Sequence, residues 1–129
     1  KSKEIVWSYD SSTQNGNEGK KVELHSFQPL EDGRVMIAET TVQRIIEVDR
    51  EGKLLKSTPM KVNRPDPHTD TRLVRKLESG NYLACHEGDG VVREYDGENG
   101  EIVWEYELPM CGGHSAGGYG PAAFGNKVF

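Results

Sequence analysis

The chain has 129 residues, 34% of them hydrophobic, with 15 glycines and a formal net charge of −5. One domain is the expectation from that length, and the low apolar share with abundant glycine argues for short strands and turns over a helical bundle. Acids and bases are interspersed with no basic stripe, which excludes nucleic acid as an expected partner, and no apolar run approaches the roughly 18–20 residues of a membrane span.

No signal peptide is visible, and with Lys1 as the first residue any leader is expected to have been removed already. The two cysteines, Cys85 and Cys111, leave a disulfide and a pair of reduced thiols equally open. Neither fixes the compartment.

In chain order, the first element is EIVWSYD at 4–10, which returns as EIVWEYE at 101–107. A turn-rich polar loop, SSTQNGNEG (11–19), follows it. Four short strand-like phrases come next: VELHSFQPL (22–30), RVMIAE (34–39), RIIEVD (44–49) and KLLKST (53–58). The connection KVNRPDPHTD (61–70) leads to four more: TRLVRKL (71–77), YLACHE (82–87), VVREYD (91–96) and IVWEYE (102–107). The phrases are rich in β-branched and aromatic residues, and glycine, asparagine and aspartate punctuate them. A glycine-rich loop, CGGHSAGGYGPAAFG (111–125), runs into GNKVF (125–129). No long stretch has helical periodicity.

These phrases form a repeat. Gly33 falls on Gly80, Glu47 on Glu94 and Asp49 on Asp96, and after one inserted residue Gly52 falls on Gly100. The chain therefore reads as a tail (3–10), two whole units (22–59 and 71–108) and the head of another (125–129). Four antiparallel strands recurring every 40–50 residues are the mark of a β-propeller blade. A solenoid of hairpins or a two-sheet sandwich is the alternative, but sandwich strands do not normally repeat their wording.

A blade has two apolar faces, each needing a neighbour. Leaving roughly several hundred Å2 uncovered, at about 25 cal/mol/Å2, costs on the order of 10 kcal/mol, comparable to a domain's whole stability. The expectation is a piece of a longer propeller, ahead of a protomer that completes a ring with copies of itself.

The phrase YDGENGEIVWEY (95–106), with Asp96, Gly100 and Trp104 at fixed spacing, resembles the docking phrase of quinoprotein-type (PQQ-like) propeller repeats. The wider pattern is also similar to bacterial arylsulfotransferase-like propellers. The resemblance implies that the tryptophan packs between neighbouring blades. It also implies a periplasmic or extracellular protein, and chemistry completed by several blades. The first unit departs from the pattern, with Lys56 in place of tryptophan and one loop residue fewer. The arylsulfotransferase resemblance implies a histidine nucleophile in that family; His68 or His114, with Arg72 as an anion clamp, are the residues an analogy would offer, but no local motif maps them, so the role is not carried over and no catalytic residue is assigned. No cofactor is assigned; PQQ and a divalent metal are the two candidates.

In a propeller, the connections between blades and those from second to third strand share one rim. That rim is expected to gather His68, Asp70, His86, Glu87, Asp89, His114 and Tyr119, with Glu39 as the first-unit equivalent of His86. His25 and Arg72 belong to innermost strands and are candidate channel residues. Imidazole with carboxylate suits Zn, Cu, Ni or Fe, and protonated histidines suit an oxyanion. The plainer reading is that loops are polar and histidines fall somewhere. No His-x-His or His-x-x-x-His spacing enforces ligation.

ACHE (84–87) lacks the first cysteine of a haem attachment site, and Cys85, alternating with Leu83, reads as a small core residue. Cys111 and His114 have the spacing of half a metal site only. The glycine-rich loop lacks the Lys-Ser/Thr of a phosphate loop, but Tyr119 and Phe124 offer a stacking surface to a sugar or aromatic ligand. Trp7 and Trp104 read as inter-blade packing, and Asp49 and Asp96 as turn formers.

The leading functional expectation is a non-catalytic ligand-binding or scaffold propeller, with a carbohydrate or a small anion as ligand. The alternatives are a quinone-dependent dehydrogenase or sulfotransferase completed by further blades, and a homo-oligomeric ring of two-blade units.

Overall fold

In the computed structural model, residues 3–109 are described. They form two four-stranded antiparallel sheets in simple meander order. The first holds β1 (Leu24–Pro29), β2 (Val35–Glu39), β3 (Arg44–Val48) and β4 (Leu54–Pro59). The second holds β5 (Leu73–Lys76), β6 (Tyr82–His86), β7 (Val91–Tyr95) and β8 (Ile102–Glu107). Each strand lies within the corresponding sequence phrase or a residue beyond it. Among the described residues there is no helix, and so none long and apolar enough to cross a membrane.

The turns follow from their residues. Asp49 Oδ1 accepts from the amides of Glu51 and Lys53 at 2.9 Å each. Asp96 Oδ1 likewise accepts from Glu98 at 2.7 Å and Asn99 at 3.1 Å. These are side-chain-closed turns, and both end on a glycine in the left-handed region, Gly52 (φ 81°) and Gly100 (φ 76°).

Strand pairing decides which residues share a face. Val35 pairs with Val48 and Ile37 with Ile46, and these four form a cluster covered by Trp7, Tyr9 and Leu54. The opposite face carries Met36, Ala38 and Ile45, which pack with Val74, Tyr82, Ala84 and Tyr95 of the second sheet. The two sheets therefore meet face to face. Their innermost strands are also bridged by side chains: Ser26 Oγ donates to the Val74 carbonyl at 3.0 Å and accepts from the Val74 amide at 2.9 Å. Gln28 Oε1 accepts from the Lys76 amide at 2.9 Å.

Segment 3–10 carries no strand, with no partner strand beside it among the described residues. It is anchored by side chains instead. Trp7 Nε1 donates to the Arg50 carbonyl at 2.9 Å, and the Arg50 guanidinium lies 5.3 Å from the indole centroid. The loop 111–125, with His114 and Tyr119, and the phrase 125–129 lie outside the described residues.

Candidate functional site

Most of the charged residues near the β2–β3 and β6–β7 turns are tied to one another. Glu39 is fully buried, accepting from Arg44 Nε at 2.6 Å and from Asn17 Nδ2 at 3.0 Å. Glu87 accepts from Arg72 Nε, so that guanidinium is engaged within its own blade. Asp89 accepts from the amides of Asn63 and Arg64 at 2.8 Å each and lies 3.4 Å from Arg93 Nη1, pinning the start of the inter-blade connection. Arg93 itself donates to the Lys61 carbonyl at 2.6 Å and to Glu105 at 2.5 Å.

His86 is also buried, on the face of β6 turned toward the first sheet. Its Nδ1 lies 3.1 Å from the Asp70 carbonyl and 3.0 Å from Thr71 Oγ1. A carbonyl only accepts, so the ring proton sits on Nδ1. Nε2 then accepts from the Tyr95 hydroxyl at 2.8 Å. Burial pushes the imidazole pKa down to about 4, against a raising contact from the Asp70 carbonyl. Next to it Asp70 is fully buried, and neither of its carboxylate oxygens meets hydrogen-bond geometry among the described residues. Burial raises its pKa.

A different group gathers at the entry to β1. Glu23, His25 and His68 each place one donor atom within 4.8 Å of the other two. Glu23 Oε2 is 3.4 Å from His25 Nε2 and 3.4 Å from His68 Nδ1. The two imidazoles meet edge to face, with centroids 5.5 Å apart.

Each of the three is positioned by local structure. The Glu23 carbonyl accepts from the Thr40 amide at 3.2 Å and from Thr40 Oγ1 at 2.8 Å, which fastens its backbone to the end of β2. His25 sits at an irregularity in the β1–β2 register: Leu24 pairs with Glu39 and Ser26 with Ala38, leaving His25 as the extra residue. A bulge of this kind re-aims a side chain. His68 follows Pro65-Asp66-Pro67, and Asp66 Oδ1 accepts from the His68 amide at 2.8 Å and the Thr69 amide at 3.1 Å. The histidine is thus presented from a closed turn.

Burial raises the Glu23 pKa, but hydrogen bonds to His68 and Lys21 outweigh it and hold the carboxyl below its ordinary value. Lys21 Nζ lies 3.5 Å from Oε1 and leaves Oε2 to the histidines.

The structure thus brings His25 and His68 together, with a third donor that the sequence reading passed over. Glu23-Leu24-His25 was visible as an i, i+2 pair entering a strand, a spacing that puts two side chains on one side of an extended chain. His86, Glu39, Glu87, Asp89 and Arg72 lie instead within the internal pairs given above.

No family model matches the sequence, and no curated protein is significantly similar to it. Solved structures do resemble the fold. A protein of unknown function from Bacteroides caccae is 28% identical over 68% of this chain and 32% of its own, with a TM-score of 0.60. Virginiamycin B lyase from Staphylococcus aureus aligns at 13% identity over 71% of this chain and 29% of its own, with a TM-score of 0.54. The WD40 β-propeller domain of Doa1 aligns at 16% identity over 65% and 26%, with a TM-score of 0.52. The chain spans a third or less of the length of these proteins. The fold of the described residues is that of a β-propeller, in which they make up about two blades.

Proposed function

We propose that this chain is part of a longer propeller that acts as a binding scaffold and not as a catalyst. In this reading 22–59 and 71–108 are complete blades, 3–10 closes a preceding blade and 125–129 opens a following one. Further blades of the same propeller, or copies of this chain, cover the remaining faces. The wording shared by Asp96, Gly100 and Trp104 supports placing its repeats beside the quinoprotein type. Binding is assigned to the entry of the innermost strands, and the ligand class is a small organic anion or an acidic sugar.

The observation that carries this is the contrast between two groups of polar residues. Glu39, Glu87, Asp89 and His86 are engaged internally. The imidazole of His68 is about two-thirds exposed (65%) and faces His25 across Glu23. An accessible imidazole beside a carboxylate suits recognition of a ligand.

Saturation-transfer NMR with monosaccharides, uronic acids and small carboxylates tests the proposal, with His68→Ala alongside. Transfer to at least one probe, lost in the variant, is expected. Transfer to none of them, or transfer unchanged by the substitution, overturns it.

A further inference from the structure

We infer that Glu23, His25 and His68 form a site for a divalent transition-metal ion of the zinc class. This rests on reading the same region as the binding region, and it names what occupies it.

A carboxylate oxygen and imidazole nitrogens bind zinc at about 2.0–2.1 Å, so two ligands of one tetrahedral ion sit ~3.3 Å apart. Two of the three donor pairs here are at 3.4 Å. A charge-assisted N–H···O bond would be roughly 2.7–2.9 Å. Both contacts are longer than a charge-assisted hydrogen bond and close to the edge of a coordination tetrahedron. The third pair lies within 4.8 Å, and it involves His68, the most exposed of the three side chains.

His25 Nε2 is buried and has no hydrogen-bond partner among the described residues, although Glu23 Oε2 lies beside it. A buried polar atom without a partner costs about 1–3 kcal/mol. An ion between the three donors would accept its lone pair.

Donor type selects the metal. Two imidazoles and one carboxylate suit zinc and its neighbours and disfavour calcium and magnesium, which take oxygen ligands. Supporting contacts are in place as well. Lys21 holds Oε1, Thr40 holds the Glu23 backbone and Asp66 holds the turn that presents His68. Three protein ligands leave one position open, which an anionic ligand or water would fill.

The test titrates the chelator-treated full chain with Zn2+ by calorimetry and with Co2+ by visible absorption. Saturable binding of one ion per chain is expected, with the strong d–d bands of four-coordinate Co2+. Glu23→Gln, His25→Ala and His68→Ala should each weaken binding by at least roughly 10–100-fold. His68 is exposed, so its removal leaves the fold intact and makes that variant decisive. No saturable binding, or wild-type affinity in His68→Ala, overturns the inference. If organic probes still give His68-dependent saturation transfer in that case, the metal alone is excluded and the binding reading survives.

Discussion

His86 shows how one buried side chain couples stability to pH. With a folded-state pKa of about 4 against an ordinary 6.5, the unfolded chain binds a proton that the folded chain refuses. Stability therefore falls as pH drops below 6.5 and stops falling from this cause once pH passes 4. At about 1.4 kcal/mol per pH unit, acidification from pH 7 to 5 should cost about 2 kcal/mol. Urea unfolding at the two pH values measures this. His86→Gln can still donate to the Asp70 carbonyl and accept from Tyr95, but it does not titrate. The variant should lose most of the difference, and an equal pH slope in both proteins would sink the assignment. From the sequence alone His86 reads as a rim residue, because it ends a strand. Strand periodicity gives its face, but not that the first blade covers that face. The same holds for its repeat equivalent Glu39, which is buried against Arg44 and Asn17.

At the scale of elements, the eight strands were legible because each is a short β-rich phrase bounded by turn residues that act locally. Asp49 and Asp96 close their turns through bonds to amides two to four residues ahead, so spacing alone identifies them. The bulge at His25 was not legible, since an extra residue in one strand leaves no mark on composition. It depends on the register against β2. Long-range turn contacts were hidden for the same reason. The β7–β8 turn has one residue more than its counterpart in the first blade, and within it Gly97 lies against the β5–β6 turn. A Cβ on Gly97 would lie 2.0 Å from the Gly80 carbonyl oxygen, and its amide donates to Asn81 Oδ1 at 3.0 Å. The obstacle is backbone, which cannot step aside as a side chain can. Gly97→Ala should therefore destabilise by about 1–3 kcal/mol, read as a lower urea midpoint. In the first blade Arg50 stands at the equivalent position, so the repeat itself does not reveal the requirement.

For the whole molecule, one pair of packing positions recurs three times along the chain, and a stacked tryptophan–tyrosine pair fills two of the three. Trp7 and Tyr9 stack with centroids 6.4 Å apart and planes 9° apart, and they cover the outer face of the first sheet. Trp104 and Tyr106 stack in the same way at 6.2 Å and 9°. Between them, Lys56 and Thr58 occupy the equivalent positions of the first blade, and Lys56 Nζ lies 5.7 Å from the Tyr82 ring centroid of the next. A cation over an aromatic face does there what an indole does elsewhere. The three pairs differ in what they meet. Trp7 is packed on a core cluster, whereas Trp104 and Tyr106 remain 47% and 51% exposed. Trp7→Ala should thus cost about 2–4 kcal/mol in the chain studied alone, within or just under the range for a buried tryptophan. Trp104→Ala should cost less than about 0.5 kcal/mol, as for an uncovered surface residue. Urea unfolding of the two variants, with sedimentation to establish the mass of the species, measures the difference. Equal losses in a monomeric chain would show that the stacked pair on β8 is already covered. Equal losses in an assembly, with Trp104→Lys dissociating it, would identify copies of this chain as the neighbour that the open blade face receives.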